Sequence, residues 1–129
     1  MHVGIVTVYV ADQDRAKKFY TEQLGWDVRD DQPMGPDMRW LAVVPKGAQT
    51  AVVLCKGFGD WTPEKVGGHQ GIALEVDDVF KEAEALKKNG VEFAEEPSVQ
   101  YFGGWASFKD SEGNIIGMHS PVPVGAQQQ

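Results

Sequence analysis

Residues 3–10, Val3-Gly4-Ile5-Val6-Thr7-Val8-Tyr9-Val10, form a mostly apolar run rich in β-branched and aromatic side chains. That composition predicts a strand, because β-branched and aromatic side chains fit a pleated surface. Its two faces would be Val6, Val8 and Val10 on one side and Ile5, Thr7 and Tyr9 on the other. The period then changes. Ala16, Phe19, Tyr20 and Leu24 recur at helical spacing, Asp12 stands where a helix cap is needed, and Gly25 can end the helix. Strands are predicted near 26–31, 38–45 and 50–56. Pro33, Gly35 and Pro36 break the first pair, and Pro45-Lys46-Gly47 turns between the second pair. Residues 57–68, with Gly57, Gly59, Pro63, Gly67 and Gly68, read as a linker. Phe58 and Trp61 lie within it, and a mere spacer would not need them.

The second half repeats this order. Val10-Ala11-Asp12, a helical stretch and Leu24-Gly25-Trp26 are echoed by Val76-Asp77-Asp78, another helical stretch and Asn89-Gly90-Val91. Asp77 or Asp78 would cap a helix whose Val79, Phe80, Ala83 and Leu86 face inward. Lys81, Glu82, Glu84, Lys87 and Lys88 would cover its solvent side. Strands are expected at 71–76, 91–95, 101–109 and 114–119, with a turn at Asp110-Ser111-Glu112-Gly113. The pattern is strand, helix, three strands, twice over. It predicts an α+β fold in which two βαβββ repeats each form a mixed sheet with a helix on one face. The other faces would curl around a cleft. Repeat one spans about 1–57, repeat two about 69–120, and residues 121–129 form a frayed tail, all within a single domain.

Composition narrows the partners. At 129 residues the chain suits one domain. A net charge of −7 argues against nucleic acid, which requires clustered positive charge, and permits a cationic ligand. No apolar run is long enough for a membrane span. The start, Met1-His2-Val3, lacks the features of a signal peptide, so a cytoplasmic location is expected. The lone cysteine, Cys55, forms no internal disulfide and reads as a packed residue.

These residues resemble a known family. Val8-Tyr9-Val10-Ala11-Asp12, Phe19-Tyr20 and Leu24-Gly25 look like the opening of the vicinal oxygen chelate superfamily, the group of glyoxalase I, bleomycin-resistance proteins and extradiol dioxygenases. Gly71-Ile72-Ala73-Leu74-Glu75-Val76-Asp77-Asp78 and Phe108-Lys109-Asp110-Ser111-Glu112-Gly113-Asn114 agree. The last turn is commonly Asp-Pro-Asp-Gly-Asn in the family; here Ser111 and Glu112 replace its proline and second aspartate. The resemblance covers roughly residues 3–120 and implies a homodimer, which would also cover exposed sheet edges.

It also implies four metal-ligand positions, which fall on Ile5, Leu54, Gly71 and Gly117. None offers the nitrogen, oxygen or thiolate donor that a divalent metal needs. A one-residue slip brings up only Gly4, Val6, Gln70 or Met118, and at the second position the neighbouring Cys55. His69 and His119 share the pocket side of their strands but would start about 13 Å apart, too far to share an ion. Glu75 would lie about 20 Å along the strand from His69. No metal and no cofactor are therefore expected.

The expected cleft residues are Thr7, Tyr9, Trp40, Leu54, Trp61, His69, Glu75, Trp105 and His119. Thr7 and Tyr9 supply hydroxyls, and Glu75 needs a partner, either a cationic ligand or a salt bridge. Trp40 fits the core and the pocket equally. Trp61 and Trp105 sit in glycine-rich segments where indoles can clamp a flat ligand or pack a dimer interface. The expectation is a small-molecule-binding protein that sequesters an aromatic or cationic compound, as the bleomycin-resistance branch does. The alternative is a glyoxalase-related lyase, isomerase or dioxygenase-type enzyme acting on a small carbonyl or aromatic metabolite, with Tyr9, His69, His119 and Glu75 as acid–base groups. A subunit without any ligand is a third reading.

Overall fold

In a computed structural model, which describes residues 1–122, the first strand β1 covers Ile5–Tyr9 and is followed by helix α1, Gln13–Lys18. Strands β2 (Asp27–Pro33), β3 (Arg39–Val44) and β4 (Ala51–Cys55) complete the first repeat. The second repeat has β5 (Gly68–Glu75), helix α2 (Val79–Lys88), β6 (Glu92–Gln100), β7 (Gly103–Lys109) and β8 (Asn114–Ser120). The strands form two four-stranded sheets, ordered β1-β4-β3-β2 and β5-β8-β7-β6. This is the expected α+β fold of two βαβββ modules. Most of the expected frayed tail, 123–129, lies outside the described residues.

The chain divides into two compact units, Met1–Gly68 with Ser111–Asn114, and the remainder from His69. In the first, β1 runs parallel to β4 and places Val8 beside Leu54, Thr7 beside Val53 and Tyr9 beside Cys55. Register neighbours share a face, so each side of the sheet can be read directly. One side holds Val8, Leu41, Val43 and Leu54 and is covered by Ala16, Phe19 and Tyr20; all are buried. The Asp12 carboxylate accepts the Arg15 amide at 2.9 Å and caps α1. The predicted helix continues past Lys18 as a wider π-helical turn, Phe19–Gln23, closed by the Leu24 amide on the Phe19 carbonyl. That wider turn leaves Phe19 and Tyr20, adjacent in sequence, both buried.

In the second unit, the Asp78 carboxylate accepts the amides of Phe80 and Lys81, which identifies it as the cap of α2. Val79, Ala83 and Leu86 of that helix are buried, as are Ala106, Phe108, Ile116 and Met118 of the sheet. Strand β6 runs five residues beyond the predicted end at 95 and contains Pro97. It is an edge strand with register shifts between Phe93 and Ser98, the setting in which a sheet tolerates proline. Pro33 likewise closes the edge strand β2 instead of breaking it earlier. Tyr101 and Phe102, predicted to open a strand, form the turn between β6 and β7.

Candidate functional site

The face of the second sheet turned away from α2 carries a cleft. Alternation on β7 sends Ala106 and Phe108 to the helix side and Trp105 and Ser107 to the other. On β8, Gly117 pairs with Ser107 and His119 with Trp105, so all four share that open face. His69, Gly71 and Ala73 join them from β5, Ile115 from β8 and Glu95 from β6. The cleft encloses about 320 Å³. Small organic ligands occupy pockets of roughly 300–1,000 Å³, so this one suits a small, compact molecule.

Gly117 shapes the floor. A Cβ placed there would stand 2.5 Å from Cη2 and 2.8 Å from Cζ2 of Trp105. The indole therefore lies directly over bare backbone, an approach that any side chain at 117 would prevent. Its Nε1–H donates to Glu95 Oε1 at 3.2 Å, and the buried Ser107 hydroxyl donates to the same oxygen at 2.8 Å. The Trp105 and Ser107 bonds outweigh partial burial and, with His69, hold the Glu95 carboxyl below its usual range. It is an anion at neutral pH.

At one end of the same face, His119 Nδ1 is 2.7 Å from Glu75 Oε1 and Nε2 is 2.7 Å from the Phe102 carbonyl. A carbonyl and a carboxylate only accept, so the doubly protonated ring is the form that satisfies both contacts. The Phe102 carbonyl first, and the Glu75 carboxylate second, raise the His119 pKa against a small cost of burial. Phe102 also stacks on His119, with centroids 6.1 Å apart, and meets Trp105 edge-on at 5.8 Å. His119 thus ties the Tyr101–Phe102 turn to the sheet. A raised folded pKa means this stabilisation is complete below the unfolded value, near 6.5, and is lost as pH rises through the folded value. Proton NMR titration is expected to place the His119 pKa above about 6.5 and to lower it in Glu75→Gln; an unshifted ring would contradict the assignment.

His69 and Glu75 lie six residues apart on β5, on the order of 20 Å. Because His119 bonds Glu75, it stands much farther from His69 than the expected 13 Å or so. The strand register, which sets the Val76 amide against the His119 carbonyl, accounts for the difference. Glu75 is exposed and therefore needs no buried partner, and the one it has is a histidine of the same sheet.

The remaining expected residues belong to the first unit. Tyr9 and Trp40 pack with Phe58 and Trp61 against Ala42, Ala51, Val53 and Cys55, on the face opposite α1. Alternation explains Trp40: Arg39 turns to the helix side, where it meets Asp31 and Asp14, each at 2.7 Å, so its neighbour points the other way. The Trp61 Nε1–H donates to the Val10 carbonyl at 3.0 Å, which fixes the supposed linker to the sheet. Thr7 is exposed on this face. Leu54 is not on it: pairing with Val8 puts Leu54 on the helix side, fully buried, and Val53 and Cys55 take the opposite face. Burial is the largest influence on the Cys55 thiol and raises its pKa, a backbone hydrogen bond with Phe58 only partly offsetting this, so the thiol is packed and not activated.

Sequence reasoning missed Glu95 and Ser107. Ser107 was within reach, since it lies two residues from Trp105 on one strand. Glu95 lay at the end of its predicted strand, but register shifts on both sides of it break the alternation that would have given its face. Among the described residues, no three His, Cys, Asp or Glu side chains converge as a metal site would require. No helix among them is long and apolar enough to cross a membrane.

Three comparisons bear on this site. The sequence model of the Glyoxalase/Bleomycin resistance protein/Dioxygenase superfamily matches residues 2–118. The uncharacterized protein YetH of Bacillus subtilis (strain 168) is 42% identical over 114 residues, 88% of this chain and 93% of its own. The crystal structure of TnmS3, an antibiotic binding protein from Streptomyces sp. CB03234, superposes with a TM-score of 0.81 at 40% identity, over 94% of this chain and 96% of that one. A glyoxalase/bleomycin resistance protein/dioxygenase superfamily member from Sphaerobacter thermophilus DSM 20745 gives 0.82 at 33% identity, over 93% and 97%.

Proposed function

Since this chain belongs to the Glyoxalase/Bleomycin resistance protein/Dioxygenase superfamily, we propose that it is a metal-free member that binds and sequesters a small aromatic or cationic compound. The observation that carries this reading is the Trp105 indole lying over Gly117. At a position where a metal enzyme of the family would present a ligand, this protein has backbone alone with an aromatic ring packed against it. Ile5 and Gly71 also lack donors; Leu54, at the remaining position, faces α1, and of its neighbours on the open face Val53 has no donor and the buried Cys55 thiol is bonded to the Phe58 carbonyl. Among the described residues, those present do not fit a metal. The likeness to an antibiotic binding protein at 40% identity supports a small organic ligand.

The enzyme reading gains nothing from His119. A general base needs a nitrogen lone pair directed at its substrate, and both nitrogens of this ring already lie within hydrogen-bond distance of Glu75 and the Phe102 carbonyl.

A ligand that prefers the native state raises its stability. A thermal-shift screen of flat aromatic antibiotics and their cationic analogues is expected to give at least one stabiliser of several degrees in the presence of a chelator. A screen without stabilisers would count against binding. We also propose a homodimer, because each four-stranded sheet ends in edge strands that association can cover; light scattering showing only monomer would exclude it.

A further inference from the structure

We propose that Glu95 is the specificity-determining anion of the cleft, and that the ligand is a planar aromatic molecule carrying a protonated amine or a cationic ring nitrogen beside it. This rests on the binding role proposed above and names the ligand's chemistry.

Three observations combine. Trp105 and Ser107 both donate to Oε1 of Glu95, so Oε2 has no hydrogen-bond partner among the described residues. The carboxylate is therefore fixed from one side and presents its second oxygen elsewhere. No lysine or arginine lines the cleft; His69 is the one other ionisable lining residue. The charge on Glu95 thus has no permanent cation within the cleft. Finally, the bonding links the two recognition elements, since the aromatic ring that lines the cleft is also the donor that orients the carboxylate. A ligand stacked on Trp105 would place a donor at its edge within reach of that carboxylate. Charge-assisted bonds are about twice as strong as neutral ones, and the acidic chain favours approach of a cation. A carboxylate on the ligand would instead meet a like charge.

The test uses two tricyclic probes of similar size, cationic 9-aminoacridine and anionic anthracene-9-carboxylate, titrated calorimetrically into the full chain. The wild type is expected to prefer the cation by about tenfold, the effect of one exposed charge-assisted contact. Added salt should shrink that preference. Glu95→Gln retains an oxygen for Trp105 and Ser107 and should abolish the preference while still binding both probes. A preference that survives Glu95→Gln, or a wild type that binds both probes equally, would overturn the role of Glu95 and leave the binding role standing. Failure of the wild type to bind either probe would overturn the inference. If the antibiotic screen is empty as well, the binding role falls with it. Circular dichroism of the variant separates misfolding from lost recognition, and Glu95→Asp, which keeps the charge, should restore part of the preference if Gln proves unstable.

Discussion

Trp105→Ala is expected to weaken binding of a flat aromatic ligand about 30-fold, or ~2 kcal/mol, the cost of truncating an aromatic anchor at the centre of a site. The indole is half-buried, lies over Gly117 and meets Phe102 edge-on. Removing it takes away the stacking surface and leaves Glu95 with Ser107 as its one remaining donor. Gly117→Val should have a related effect without touching the ring's chemistry. Its Cβ would stand 2.5 Å from the indole, so the ring must leave its place over β8. About a tenfold loss is expected, the share of the anchor lost when a ring is displaced but not deleted. Isothermal titration of both variants checks this. Wild-type affinity in both would mean that the ligand binds elsewhere.

Glu112→Ala should lower folding stability by about 3 kcal/mol, because the lost carboxylate bonds several donors at once. The Glu112 side chain is fully buried. Its Oε1 accepts the amides of Ala11 and Asp12, each at 3.0 Å, and the Arg15 guanidinium grips both oxygens at 2.8 and 2.9 Å. The Ser111 hydroxyl adds another bond at 2.8 Å. Burial pushes the Glu112 pKa up, but Arg15, Ser111 and the two amides outweigh it, and the folded pKa is depressed. A depressed carboxylate pKa stabilises fully above the unfolded value, near 4.3, and that stability is lost as pH falls through the folded value. Asp31, bonded to Arg39 and Lys17, is depressed in the same direction. The wild type should therefore lose stability in acid below about pH 5, and Glu112→Ala should lose less over the same interval. Urea unfolding at pH 7 and pH 4 measures both. A variant within 1 kcal/mol of wild type at pH 7 would contradict the assignment.

The fold was legible because its signals were local. The mostly apolar, β-branched run in Ile5–Tyr9, helical spacing from Ala16 to Tyr20, and Asp12 and Asp78 as caps each act within a few residues. Their repetition in the second half supplied the architecture. The cleft was only half legible, because it depends on register between strands distant in sequence. His69, Glu75, Trp105 and His119 could be assigned to one face by alternation, but the pairing of His119 with Glu75 required knowing which residues of β5 and β8 stand level. Leu54 failed for the same reason: a single-residue difference in register exchanges the two sides of a strand, and Val8 is its neighbour. Glu95 was concealed by the register shifts that flank it, between Phe93 and Glu95 and between Glu95 and Ser98, because simple alternation along β6 does not survive them.

The most direct test follows amide and indole resonances while the protein, held in chelator, is titrated with the flat aromatic compound that stabilises it most. The account predicts shifts centred on His69, the Trp105 indole, Ser107 and Gly117, with an affinity that does not change when zinc or manganese is supplied in excess. Shifts confined to other parts of the chain, or binding that begins only once the metal is added, would contradict it.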